Sequence, residues 1–239
     1  MRAIGVDSNF EHMAKPTGET GRCLVKVTPD SERTMNTYLG ISVELSESEL
    51  HLDALEASHY FYIEGYLMSS ETARHAVSVA KAFAKSKGIK TAISLSDPFM
   101  VTAFKNEFDA VLNDGVDFIF ANEEEATTFT GESDVKAAAQ KLQGISKQFA
   151  ITLGAKGSLV FDGENYHEIP ADTVTSIDTV GAGDMYAGAF LYGLTSGMSF
   201  ADSARLASVT SAKVLTQYGP RISKEDVPYL INRMKDAVA

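Results

Sequence analysis

The sequence predicts an α/β fold built on a mostly parallel sheet with helices on both faces. Three observations carry this. From about residue 60 onward, short apolar runs of strand length alternate with longer runs of helical spacing. Strands alternating with helices of this length pair in parallel, because each helix carries the chain back across the sheet. Near residue 181 a glycine-rich turn leads into an apolar helical run. Finally, 44% of the 239 residues are hydrophobic, enough for a sizeable core.

The elements follow in order. Arg22-Cys-Leu-Val-Lys-Val-Thr28 and Arg33-Thr-Met-Asn-Thr-Tyr-Leu39 read as two strands joined through Pro29-Asp30, a β-hairpin of a small sheet over the main domain. Tyr60–Ile63 is a short strand. Residues 71–87 form a helix, with Ala73, Ala76, Val77, Ala80, Phe83 and Ala84 at helical spacing and Gly88 as its stop. Thr91–Leu95 is the next strand, and Phe118–Phe120 another, running into Asn122 and a helix that Gly131 ends. Ser133 begins a further helix. Phe149–Leu153 and Ser158–Phe161 are strands around the turn Gly154-Ala-Lys-Gly157. Three helices close the chain, over 184–196, 200–217 behind Ser199, and 224–237 behind Ser223. The last two carry Asp three residues after Ser, the spacing of a capping box. No repeat or low-complexity linker divides residues 1–239, which read as a single domain.

Composition bounds the function. A formal charge of -11 makes nucleic acid and anionic membranes poor partners. Cys23 is the only cysteine, so neither an intrachain disulfide nor a Cys-based zinc site is available. The five His are scattered without metal-binding spacing. Met1-Arg-Ala-Ile-Gly-Val-Asp7 opens no signal peptide, and no apolar run approaches the length of a membrane span. A cytoplasmic protein acting on small molecules is expected.

The chemistry concentrates in Asp178-Thr-Val-Gly-Ala-Gly-Asp184. Two glycines flanking Ala182 allow a tight turn, and the unpaired amides of the following helix start favour an anion. Asp184 stands in the same turn, where it can accept a proton from an attacking hydroxyl. The alternative is a strand-to-helix turn whose Asp only caps. Asn122-Glu-Glu-Glu125 places an amide and a carboxylate at i and i+3, which suits a hydrated Mg²⁺, or else complements the helix dipole. Thr152-Leu-Gly-Ala-Lys-Gly157 ends a strand where parallel sheets bind ligands, or is a plain turn. Gly219-Pro-Arg221 closes a long helix, where carbonyls could face a cation.

The order Asn-x-x-Glu, Thr-Leu-Gly-x-x-Gly, Asp-Thr-x-Gly-Ala-Gly-Asp resembles the ribokinase-like (PfkB) family of carbohydrate and nucleoside kinases. The resemblance covers nearly the whole chain. It implies a three-layer α/β/α fold with a small β lid, and transfer of the ATP γ-phosphate to a substrate hydroxyl with Mg²⁺. Asp184 would be the catalytic base, and Gly181, Ala182 and Gly183 the anion hole. Asn122 and Glu125 would manage Mg²⁺ and phosphates, with the metal held through water. Thr152, Gly154 and Gly157 would line the nucleotide site, with Ser208 near the adenine. Asp178 and the Val180 carbonyl match a monovalent-cation site, for K⁺.

On the acceptor side, Pro16-Thr-Gly18 to Leu39 and Ser94-Leu-Ser-Asp-Pro-Phe99 look most like the adenosine-kinase branch, with residues 16–45 contributing to the lid. Glu64, in Tyr62-Ile-Glu-Gly65, stands where ribokinases carry a sugar-contacting Glu. The acceptor is therefore a nucleoside or a sugar. Family members begin with a strand, an acceptor-binding Asp and a Gly-Gly-x-x-x-Asn segment, none of which is in this chain. Met1–Gly5 looks like the middle of a member, so the fold is expected to be truncated at its N-terminus, with an exposed sheet edge and apolar surface. A homodimer would be one way to cover such an edge. Two rivals remain: a non-catalytic nucleotide-binding fragment, and a dinucleotide-binding oxidoreductase, whose glycine fingerprint should open an early βαβ unit.

Overall fold

The computed structural model describes residues 17–31 and 33–236. Pro16 and the Met1–Gly5 segment singled out above lie outside the described residues. The chain opens with strands β1 (Thr20–Val27) and β2 (Arg33–Gly40), which pair antiparallel as the expected hairpin. Short 3₁₀ turns and helix α1 (Leu52–Glu56) lead into the main sheet. There follow β3 (Tyr60–Glu64), α2 (Glu71–Lys87), β4 (Lys90–Ser94), α3 (Pro98–Ala103), α4 (Lys105–Leu112), β5 (Val116–Asn122), α5 (Glu123–Thr130) and α6 (Val135–Leu142). Then come β6 (Ser146–Thr152), β7 (Ser158–Phe161), β8 (Tyr166–Ile169), α7 (Ala182–Thr195), α8 (Phe200–Leu215) and α9 (Asp226–Asp236).

Among the described residues the main sheet has the order β3-β4-β5-β6-β7-β8. The first four strands run parallel, and β7 and β8 add antiparallel. The tight Gly154–Gly157 turn explains the reversal, because four residues can return the chain only to an antiparallel neighbour. Both faces are covered. On one, Val77 of α2, Phe108 of α4, Ala126 of α5 and Ala138 of α6 pack with Ile63, Ile93 and Ile119 of the strands. On the other, Tyr186, Phe190, Ala204 and Ala207 of α7 and α8 pack on Phe118, Phe120 and Val160. Neighbouring strand residues therefore feed opposite cores, as the pleat requires.

Several boundaries differ from the sequence reading. Helix α7 begins two residues earlier than expected, because Gly181 takes a left-handed φ of 78° and serves as its cap. Helix α6 is capped by Asp134 rather than Ser133, its Oδ1 accepting from the amides of Lys136 and Ala137. Helix α9 starts at Asp226, with Ser223 Oγ accepting from Glu225 N outside it. Ser199 does cap α8, accepting from Asp202 N at 3.1 Å. No helix among the described residues is long and apolar enough to cross a membrane.

Candidate functional site

The site forms along the carboxyl ends of the parallel strands. Glu64 closes β3 and is the register partner of Ser94, while Asn122 closes β5 beside Thr152 of β6. Open parallel sheets leave a crevice at this edge. The sequence patterns that looked local are thus gathered by strand register into one row.

At the end of β5, Asn122 and Glu125 bond each other. Asn122 Oδ1 accepts from Glu125 N at 2.8 Å, Asn122 N donates to Glu125 Oε2 at 2.9 Å, and Asn122 Nδ2 donates to Oε1 at 2.7 Å. This reciprocal capping box starts α5. Glu125 is buried, and burial lifts its carboxyl to about 7, opposed by the Asn122 amide and reinforced by Asp97, Glu64 and Glu124. Carboxylates from the end of β3, the cap of α3 and the first turn of α5 therefore act on one region. Among the described residues, no group of three His, Cys, Asp or Glu is placed to hold a bare metal ion. The donor set suits a cation that keeps its water and takes further oxygens from a phosphate, as Mg²⁺ does.

The glycine turn behaves differently at each glycine. Gly181 is fixed by the fold: a Cβ there would lie 2.4 Å from Pro220 Cβ. Gly183 is not, because a Cβ there meets nothing within 4 Å. The absent side chain leaves open space at the start of a fourteen-residue helix whose cap makes no side-chain hydrogen bond. Ala182 N turns toward Thr179 O at 3.4 Å. Space, helix dipole and backbone amides at this end fit an anionic group such as a phosphate.

Asp184 lies in the first turn of α7 and is exposed. It shares a cleft of about 140 Å³ with Tyr62, Glu64, Ala187, Gly188 and Leu191. It also stands on the rim of an apolar cleft of about 510 Å³ between α7, α8 and α9. Glu64 Oε1 accepts from Ser96 Oγ at 2.5 Å, and Ser96 Oγ accepts in turn from Gly65 N. Burial raises the Glu64 carboxyl, and Asp184 adds to the shift.

Residues 1–227 match the pfkB family of carbohydrate kinases. The chain belongs to this family. This PfkB chain is 28% identical over 225 residues to adenosine kinase of Saccharomyces cerevisiae, a match covering 88% of the chain and 65% of that protein. It is 38% identical over 111 residues to ribokinase of Lactococcus lactis, covering 46% of the chain and 36% of that protein. The crystal structure of adenosine kinase from Sinorhizobium meliloti superposes with a TM-score of 0.85 at 36% identity, over 91% of this chain and 66% of that one. The PfkB chain thus spans less than two thirds of the length of the curated relatives just named. Its fold is the ribokinase-like three-layer α/β/α arrangement with a mostly parallel sheet.

Other expected site residues have structural partners of their own. Gly157 has φ 97°, and a Cβ there would strike Ile169 O at 2.0 Å, so its glycine is required by the approach of β8. Gly154 lies in a 3₁₀ turn at φ 58° with open space around it. Ser208 Oγ donates to Pro170 O at 3.0 Å, tying α8 to the loop before the glycine turn. Asp178 is buried, with Oδ1 accepting from Val180 N and Oδ2 from Gly219 N, both at 2.9 Å. It fastens the Gly219-Pro220 loop to the glycine turn.

Two residues were not singled out from the sequence. Arg33 Nη1 donates to Thr179 Oγ1 at 2.8 Å, so the first residue of β2 reaches the segment that leads into the glycine turn. The Tyr66 phenol, pushed up to about 12 by burial, also senses Asp97, Glu64 and Asp184, with Arg33 acting the other way. Arg33 therefore brings a guanidinium among carboxylates. Its partner lies 146 positions away, and nothing in the local sequence marks that contact.

Proposed function

We propose that this site transfers the γ-phosphate of ATP to a hydroxyl of a nucleoside, adenosine-like in its ribose and base. The observation that carries the reading is that Asp184 and Glu64 line one cleft, with the open corner at Gly183 next to Asp184 in the chain. Asp184 takes the proton of the acceptor hydroxyl. The amides of Gly181, Ala182 and Gly183, at the positive end of α7, hold the phosphate while charge develops on it. Glu64 accepts hydrogen bonds from neighbouring hydroxyls of the acceptor, held in place by Ser96. Thr152, Gly154 and Gly157 border the nucleotide, and Ser208 stands on the adenine side. Asn122 and Glu125 hold the water shell of Mg²⁺, which when bound neutralises phosphate charge. Asp178 and Val180 would lie at a monovalent cation such as K⁺, acting through the Gly219 loop they fasten. The hairpin and its flanks, residues 16–45, serve as the lid.

The nucleoside branch is supported by the 36% identity to the adenosine kinase of Sinorhizobium meliloti over 91% of the chain, against 29% over 85% for the ribokinase of Haemophilus influenzae. The test is release of ADP by the chain with ATP and Mg²⁺, supplied in turn with adenosine, cytidine, ribose and fructose. Release that depends on adenosine is expected. ATP binding without acceptor-dependent ADP would contradict the kinase reading and leave a nucleotide-binding module. Release with ribose or fructose alone would move the acceptor to a sugar.

A further inference from the structure

Ser158 occupies a place that a core ordinarily fills with an apolar side chain. It opens β7 directly after Gly157, pairs with Thr152 of β6 on one side and Ile169 of β8 on the other, and is buried. The pleat puts it on the same face as Val160, which belongs to the core under α7 and α8. Its hydroxyl lies 2.8 Å from the phenol oxygen of Tyr186, which is also buried. Among the described residues neither hydroxyl has another hydrogen-bond partner, and this pair is the one side-chain hydrogen bond between α7 and the main sheet. A buried hydroxyl costs stability unless it is paired, and an apolar pair would fill the space without that demand. Packing alone does not account for the two hydroxyls.

Their placement does. Tyr186 follows Asp184 by two residues, about 200° around the helix, so Tyr186 is buried while Asp184 is exposed in the cleft. Apolar packing is non-directional and leaves the rotation and slide of a helix weakly defined, whereas a hydrogen bond is directional. The Ser211 hydroxyl, donating to Ala182 O at 2.9 Å, ties the start of α7 to α8 and not to the sheet. We propose that Tyr186 is a positioning residue. Its bond to Ser158 fixes the rotation and height of α7 on β7, and so sets Asp184 and the helix-start amides relative to the nucleotide turn at residues 152–157. The kinetic consequence rests on the kinase reading, but the tie between turn and helix does not.

The full chain is compared with Tyr186→Phe, Ser158→Ala and the double variant by urea melts, steady-state kinetics and amide hydrogen exchange. Each single variant leaves one buried hydroxyl unpaired and should be less stable than the wild type. The double variant leaves none and should recover most of that loss. Turnover should not recover with it: kcat should fall roughly ten-fold in all three, with KM for ATP within about three-fold, as for a misaligned base. A double variant that regains stability and turnover together would reduce the pair to packing and overturn the proposal. Wild-type kcat in Tyr186→Phe would overturn it as well. If a single variant fails to fold, the double variant carries the same comparison. A wild-type chain without turnover would count against the kinase reading, and exchange would still decide the tie. The amides of residues 154–158 and 185–187 should then exchange faster in the double variant than in the wild type. Unchanged exchange at both segments would overturn the tie.

Discussion

Glu64 at the end of β3 and Asp184 in the first turn of α7 face one cleft of about 140 Å³, which Tyr62 and Gly188 also line. The two carboxylates come from elements 120 positions apart and from opposite sides of the strand–helix boundary. Each is suited to a different task, since one is half-buried and bonded to Ser96 and the other is exposed beside a helix start.

Glu64→Ala should lower kcat/KM for the acceptor by one to two orders of magnitude, because an acceptor hydroxyl left unpaired costs roughly 1–3 kcal/mol. ATP affinity should stay within a few-fold. Steady-state kinetics with acceptor and ATP varied separately check this. An equal loss of ATP affinity would remove Glu64 from the acceptor side.

The glycines of the signature turn can be separated by substitution. Gly181→Ala should destabilise the protein by more than about 2 kcal/mol, through its left-handed backbone and the Pro220 contact. Gly183→Ala should fold at least as well as the wild type, gaining up to about 1 kcal/mol of helix propensity. It should nevertheless bind ATP more weakly, because the methyl fills the open corner. Thermal melts and ATP titrations of both variants are the measurement. Unaltered ATP binding in Gly183→Ala would show that the corner is not a phosphate site.

Glu125 predicts a pH dependence of stability. Its carboxyl is lifted from the ordinary 4.5 to about 7, chiefly by burial. The native state thus holds a proton that the unfolded chain releases. The stabilisation is complete below about 4.5 and is lost as pH rises through about 7. Between about pH 5 and pH 8 the wild type should lose on the order of 3 kcal/mol that Glu125→Gln does not lose, since Gln preserves the capping box without titrating. Urea melts across that range test it. Parallel stability curves would mean that Glu125 titrates normally.

Much of this fold was legible because its signals are local. Helix α2 runs over the residues expected from its spacing and stops at Gly88 in the left-handed conformation. Asn122 and Gly131 likewise bracket α5. The three motifs lie in contiguous sequence, so their presence could be read directly. Helices α3 and α4 went unread: they are short and break at Phe104, which ends one and begins the other. Strand β8 spans four residues and is half exposed, so its pattern is weak. The Arg33–Thr179 contact and the Glu64–Ser96 bond depend on tertiary packing and strand register, which no local pattern encodes.

The central claim is that Asp184 acts as the base of phosphoryl transfer. It is tested most directly by acceptor-dependent ADP release from Asp184→Asn beside the wild type, with ATP binding measured on the same samples. Asn preserves the shape and the helix start but cannot take the hydroxyl proton. Turnover should fall by roughly 10²–10⁴-fold while ATP affinity stays within a few-fold. An Asn variant that keeps more than about a tenth of wild-type turnover would contradict the assignment, since general-base contributions are larger than that.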